Sequence, residues 1–225
     1  MAATTTASTI AAGALIGTSV VAGAALGFDL IKLVSVMENF NSLSNPYFPQ
    51  NTLRLSFPYE YASSVVTLNW YDVSMAIQNG FLSLDDAVEH AIVQLETIQE
   101  PPEQVISLSF LALETVFPHS IHPYIDELAE RVSEDEKQHT MRKLLYLVLN
   151  WVYNHRSEYD DPLGMVETIY DDFGFPERIS SFVRYLPMSG PKLESKEAYI
   201  ERLFQSWKIY LEAERRNFSD LPEEA

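Results

Sequence analysis

Between Leu144 and Val152 the chain reads LLYLVLNWV. Wound into a helix, these residues leave almost no polar face, and a helix that is apolar all round must be buried on all sides. Ser133 and Glu136 stand three apart ahead of the run, the spacing of a capping box, so the helix starts just after Ser133. Its neighbours have to be helices too, because the remaining apolar periodicity is helical. The sequence therefore predicts an all-α fold. The expected form is a compact multi-helix domain of about seven helices, with stacked antiparallel pairs left open as an arrangement. A small non-helical N-terminal extension precedes it.

The other helices announce their ends. Trp70, Val73, Ala76 and Ile77 form a stripe that stops at Asn79-Gly80, a C-cap pair. Ser83 caps the next, with Asp85 and Asp86 in its first turn and Leu84, Ala87, Val88, Ala91, Ile92, Leu95 and Ile98 on its apolar side. Pro102-Glu103 opens a third through Thr115, and a fourth runs from about His122 to Val132. Asp161-Pro162 opens a helix ending at Gly174, and Pro176-Glu177 opens another through Val183. Met188 to Leu193 is a loop, and Ser195 caps a last helix whose apolar side includes Tyr199, Leu203, Phe204, Trp207, Tyr210 and Leu211.

Residues 1–38 read as an Ala/Gly-rich leader, uncharged through Phe28. Ile10 to Phe28 is 19 residues long and holds Gly13/Gly17 and Gly23/Gly27, the small-xxx-small spacing of packed membrane helices. Ala, Gly, Thr18 and Ser19 dilute it, so a loose leader, a weak membrane helix and a cleaved signal all stay open. Residues 39–66, rich in Pro, Asn and Ser, read as a linker. Alternation at Leu53, Leu55 and Phe57 suggests a short strand that pairs with 65–68. The acidic helical domain is expected over 67–215, and 216–225 as a disordered acidic tail.

Thirty-two acids against 15 bases give a formal charge of −17, and there is no cysteine. That composition excludes a disulfide framework, a thiolate nucleophile and a Cys-type zinc site. It also argues against nucleic acid, whose phosphates need clustered Lys and Arg. The acids are unevenly placed. From Leu55 to Glu130, 76 residues carry twelve acids and no Lys or Arg. A surface of one sign suits a basic partner, and a solvated acidic face is the plain alternative.

Candidate chemistry is sparse. There is no GxSxG, HExxH, P-loop or post-strand GxGxxG motif in the sequence, so neither a catalytic constellation nor a cofactor is expected. His119 and His122, with Glu114 or Asp126 as a third ligand, are too weak a set to imply a metal. His90, beside Glu89, reads as a surface histidine. Asp85/Asp86 and Asp160/Asp161 suit helix N-termini, but Asp171 and Asp172 fall in a last turn that disfavours them. They call for a cation, such as Arg178, Arg184 or a side chain from a partner.

Three segments, TLNWYDVSMAIQNGFLS (67–83), KLLYLVLNWVYNHRSEYDDPLGMVETIYDDFGFPERISSFVRYLP (143–187) and ERLFQSWKIYL (201–211), resemble an uncharacterised bacterial family. It is a domain of unknown function, number twenty-two forty-seven, and the resemblance runs over roughly 67–212. It implies an all-helical domain and carries no catalytic residues. Small acidic helical families of this kind are often candidates for immunity proteins beside bacterial toxin genes.

The expectation is a non-enzymatic, immunity-type protein that neutralises a basic toxin in the cytoplasm. Candidate partner-binding residues are Asp72, Asp85, Asp86, Glu89, Glu96, Glu103, Asp160, Asp161, Asp171 and Asp172. The alternatives are an adaptor tethered to the membrane through residues 10–28 and an unrecognised enzyme that uses Asp171 and Asp172. The sequence leaves the oligomeric state open.

Overall fold

The computed structural model describes residues 49–111, 121–187 and 195–219, all within one compact unit, Tyr47–Ala225. The leader, the first part of the linker, His119, Glu114, the 188–193 loop and residues 220–225 lie outside the described residues.

The described residues form eight α-helices and two longer 3-10 segments, with no strand among them. The helices are α1 Tyr59–Val65, α2 Trp70–Gln78, α3 Leu84–Thr97, α4 Glu103–Phe110, α5 His122–Glu130, α6 Glu134–Asn154, α7 Pro162–Asp172 and α8 Lys196–Ser219. The 3-10 segments are Arg156–Glu158 and Glu177–Phe182.

The central helix is α6, with every residue from Lys143 to Leu149 buried. Helices α2, α7 and α8 pack against it, α5 lies on α2, and α4 bridges α3 and α5. Three N-termini carry full capping boxes, Asn69/Asp72, Ser83/Asp86 and Ser133/Glu136. Asp161 caps α7 through the Gly164 N–H, and Ser195 caps α8 through the Ala198 N–H. At the end of α7 the N–H of Gly174 (φ 72°) reaches Asp171 O, and that of Phe175 reaches Tyr170 O. The Phe175 and Tyr170 rings meet edge to face at 5.4 Å, the apolar contact that accompanies such a helix stop.

Three sequence expectations need correcting. The strand expected at Leu53 to Phe57 is an irregular segment. Asn51 holds it by accepting from Leu55 N–H and donating to the carbonyls of Leu55 and Asn79, which satisfies the backbone without a ladder. Its expected partner, 65–68, is the last residue of α1 and the irregular link to α2, and α1 is fixed instead by its Tyr61 hydroxyl, which donates to Leu147 O of α6 at 2.9 Å. The tail expected from residue 216 is helical through Ser219, because Phe218 is buried against Tyr146.

Candidate binding face on α1, α3 and α4

The ten acidic candidates separate into distinct environments. Asp72 is not on the surface: its carboxylate is fully buried. It closes the capping box of α2 and accepts from Lys143 Nζ at 2.6 Å and from the Thr140 hydroxyl at 2.5 Å. A buried carboxylate needs such donors, and Asp72, enclosed by the fold, is out of reach of a partner. Asp86 is largely committed as well, accepting from Ser83 N–H, Ser83 Oγ and Tyr59 N–H.

The acids around α7 are bound into the fold rather than to one another. Arg184 forks onto Asp161 and Glu167, and pairing with both carboxylates raises its pKa above the ordinary value. The same hydrogen bonds, with that from Gly164 N–H, hold Asp161 below the usual carboxylate range. Asp172 accepts from the N–H and hydroxyl of Thr52, at 2.9 and 2.6 Å, and fastens the incoming chain to α7. Asp171 accepts from the Tyr185 hydroxyl at 2.9 Å. The cation expected at Asp171 and Asp172 is therefore replaced by neutral donors. Asp160 is exposed beside an open depression of about 450 Å³ lined by Leu53, Glu158, Tyr159 and Met165.

His90, expected at the surface, is buried. It lies on the core side of α3 with Ala87 and Ala91, only 4% exposed. Nδ1 shares a hydrogen bond of 2.8 Å with the Tyr59 hydroxyl, the ring meets Trp70 edge-on at 4.6 Å, and Nε2 is buried without a partner. Loss of water lowers its pKa to about 4, so it is neutral at pH 7.

The candidates that stay open, Asp85, Glu89, Glu96 and Glu103, lie on α3 and α4. The fold adds Glu60 of α1 to them. Between α1 and α3 runs an open trough of about 390 Å³, lined by Tyr59, Glu60, Ser63, Glu89, Ile92 and Val93. Partial burial, with the charges of Glu60, Asp86 and Asp85, raises the pKa of Glu89. The ion pairs between described residues reach the cation-free stretch at two places, Lys143 to Asp72 and Arg131 to Glu127. Neither is on α1, α3 or α4.

The same helices expose apolar side chains. Nine large hydrophobics stand open to solvent among the described residues, and six of them (Ile92, Val93, Leu95, Ile98, Ile106 and Phe110) fall on α3, its C-cap and α4. Ile92, Leu95 and Ile98 continue the apolar side of α3 past the point where the core covers it. Glu60 is not among the residues expected from sequence, because α1 lies in the stretch that reads as linker. Pro58 ahead of an acidic first turn was the available signal.

A family of uncharacterised proteins conserved in bacteria, DUF2247, matches residues 59–215. The chain belongs to this family. The match begins with the first residue of α1 and ends within α8, so the trough and both its walls are family structure. No curated protein and no solved structure matches the chain.

Among the described residues no helix is long and apolar enough to cross a membrane, and residues 10–28 lie outside them. Among the same residues, no group of three or more His, Asp or Glu is placed to hold a metal.

Proposed function

We propose that this DUF2247 protein is a non-enzymatic binding domain of the immunity type, which covers a basic toxin domain with the face built by α1, α3 and α4. One observation carries the reading: among the described residues, most of the exposed large apolar side chains sit on α3, its C-cap and α4, inside a stretch with no lysine or arginine. Contiguous exposed apolar surface marks interaction sites, and a rim of one charge selects a partner of the other.

The test is purification of the full chain from its bacterial host at low salt, followed by association kinetics of the recovered protein. A basic partner is expected, with an association rate that falls about tenfold or more between about 20 and 500 mM salt. Recovery of neutral or acidic proteins alone, or a rate indifferent to salt, overturns the proposal.

A further inference from the structure

Resting on that reading, we infer that the trough between α1 and α3 receives a basic amphipathic helix of the partner. Its apolar side chains lie along Ile92 and Val93, and its lysines or arginines meet Glu60 and Glu89.

The walls suit that occupant. Ile92 and Val93 are 40% and 42% exposed, so each has apolar surface left to bury. Glu89, Ile92 and Val93 stand at i, i+3 and i+4 on α3, so the three form one ridge along the trough. That is the ridge a helix laid in a groove reads with its own i, i+3, i+4 anchors. On the opposite wall Ser63 and Ser64 are small, which leaves room for a backbone to approach. Their hydroxyls donate to Glu60 O and Tyr61 O within α1, so covering them strands no donor. With seven residues, the α1 wall is about 10 Å long and seats about two turns of an incoming helix.

Charge decides between occupants. Each wall presents a glutamate, and neither α1 nor α3 holds a cation to answer it. A second copy would bring the same acids and a net charge of −17 against them. The uncharged stretch through Phe28 offers apolar side chains but no cation. A basic amphipathic segment answers both features.

The test is calorimetric titration of the full chain with three synthetic peptides of about 18 residues. One places Leu and Lys at amphipathic helical spacing, one is polylysine, and one has Glu in place of every Lys. The Leu/Lys peptide is expected to bind most tightly. The double change Ile92→Ser and Val93→Ser should weaken it about tenfold, which corresponds to ~1.4 kcal/mol, and leave polylysine unaffected. Glu60→Gln with Glu89→Gln should weaken both cationic peptides, whereas Glu158→Gln with Asp160→Asn should change neither. All six positions are solvent-exposed, and unchanged thermal midpoints verify folding.

If Leu/Lys and polylysine bind equally and the serine variant changes nothing, the trough is not the site, while the acidic-face proposal stands. If neither cationic peptide outbinds the Glu control, the proposed function fails with it.

Discussion

Lys143 of α6 reaches Asp72 of α2 at 2.6 Å, with side-chain exposures of 9% and 0%. The central helix thus supplies a cation to the half of the domain that has none of its own. Both charges are out of water, so removing one is far worse than removing both. Lys143→Met should destabilise the protein by about 3–5 kcal/mol. Adding Asp72→Asn should recover much of that loss, as chemical denaturation of the single and double variants would show.

His90 gives stability a pH dependence with a definite sign. Its folded pKa, about 4, lies below the ordinary value of 6.5, so the unfolded chain binds the proton more readily. Its contribution is complete above about 6.5 and is lost as pH falls from there towards 4, amounting to on the order of 3 kcal/mol. His90→Phe should flatten the stability profile in that window relative to wild type. Protonation should also report itself through the fluorescence of Trp70, whose ring meets the imidazole.

Asp86 supports α3 by closing its capping box, but Glu89 burdens the fold. Asp85 and Glu89 stand one helical turn apart with like charge, and Glu60 adds to them. Glu89→Gln should leave stability unchanged or raise it slightly, by about a few tenths of a kcal/mol, as thermal unfolding would show. Loss of stability would mean that Glu89 has a structural partner.

Gly164 is fixed by its neighbours. A Cβ there would press on the Asp161 carboxylate and come within 3.1 Å of Arg184 Nη2. Gly164→Ala should displace the helix cap and the Arg184 fork together and cost about 1–2 kcal/mol, measurable by thermal unfolding.

Asp172→Ala should cost about 1–2 kcal/mol by releasing both hydrogen bonds from Thr52. Asp171→Ala should cost less, since its bond to Tyr185 is exposed. Binding of a basic partner should be unaffected by both changes, because neither residue is on α1, α3 or α4.

The helices were legible where a cap and an apolar period coincide. Ser83/Asp86, Ser133/Glu136, Asp161-Pro162 and Ser195 each mark a start that the fold uses. The run from Leu144 identified the centre, because only a helix enclosed on every side tolerates it. Helix α1 was not legible in the same way. Seven residues show barely two turns of periodicity, and the surrounding prolines and serines resemble a linker.

The candidate site was half visible. The absence of cations from Leu55 to Glu130 is a property of sequence and located the acidic half. Which acids stay open is a property of tertiary packing. Asp72 and Glu89 look alike in sequence, yet one is closed in by Thr140 and Lys143, about 70 residues away, and the other stands in water. The same holds for His90 and Ile92, neighbours on α3. Core packing took the polar side chain in and left the apolar one out.

The α1–α3–α4 face is the proposed contact surface, and a methyl footprint reads that directly. Full chain labelled at Ile, Leu, Val and Met methyls would be titrated with the Leu/Lys peptide and followed by NMR. The methyls of Ile92 and Val93 should shift first and most. Those of Leu53 and Met165, beside Asp160, and of Ile209 on α8 should stay in place. Shifts centred on Leu53, Met165 or Ile209, with Ile92 and Val93 unmoved, would contradict it.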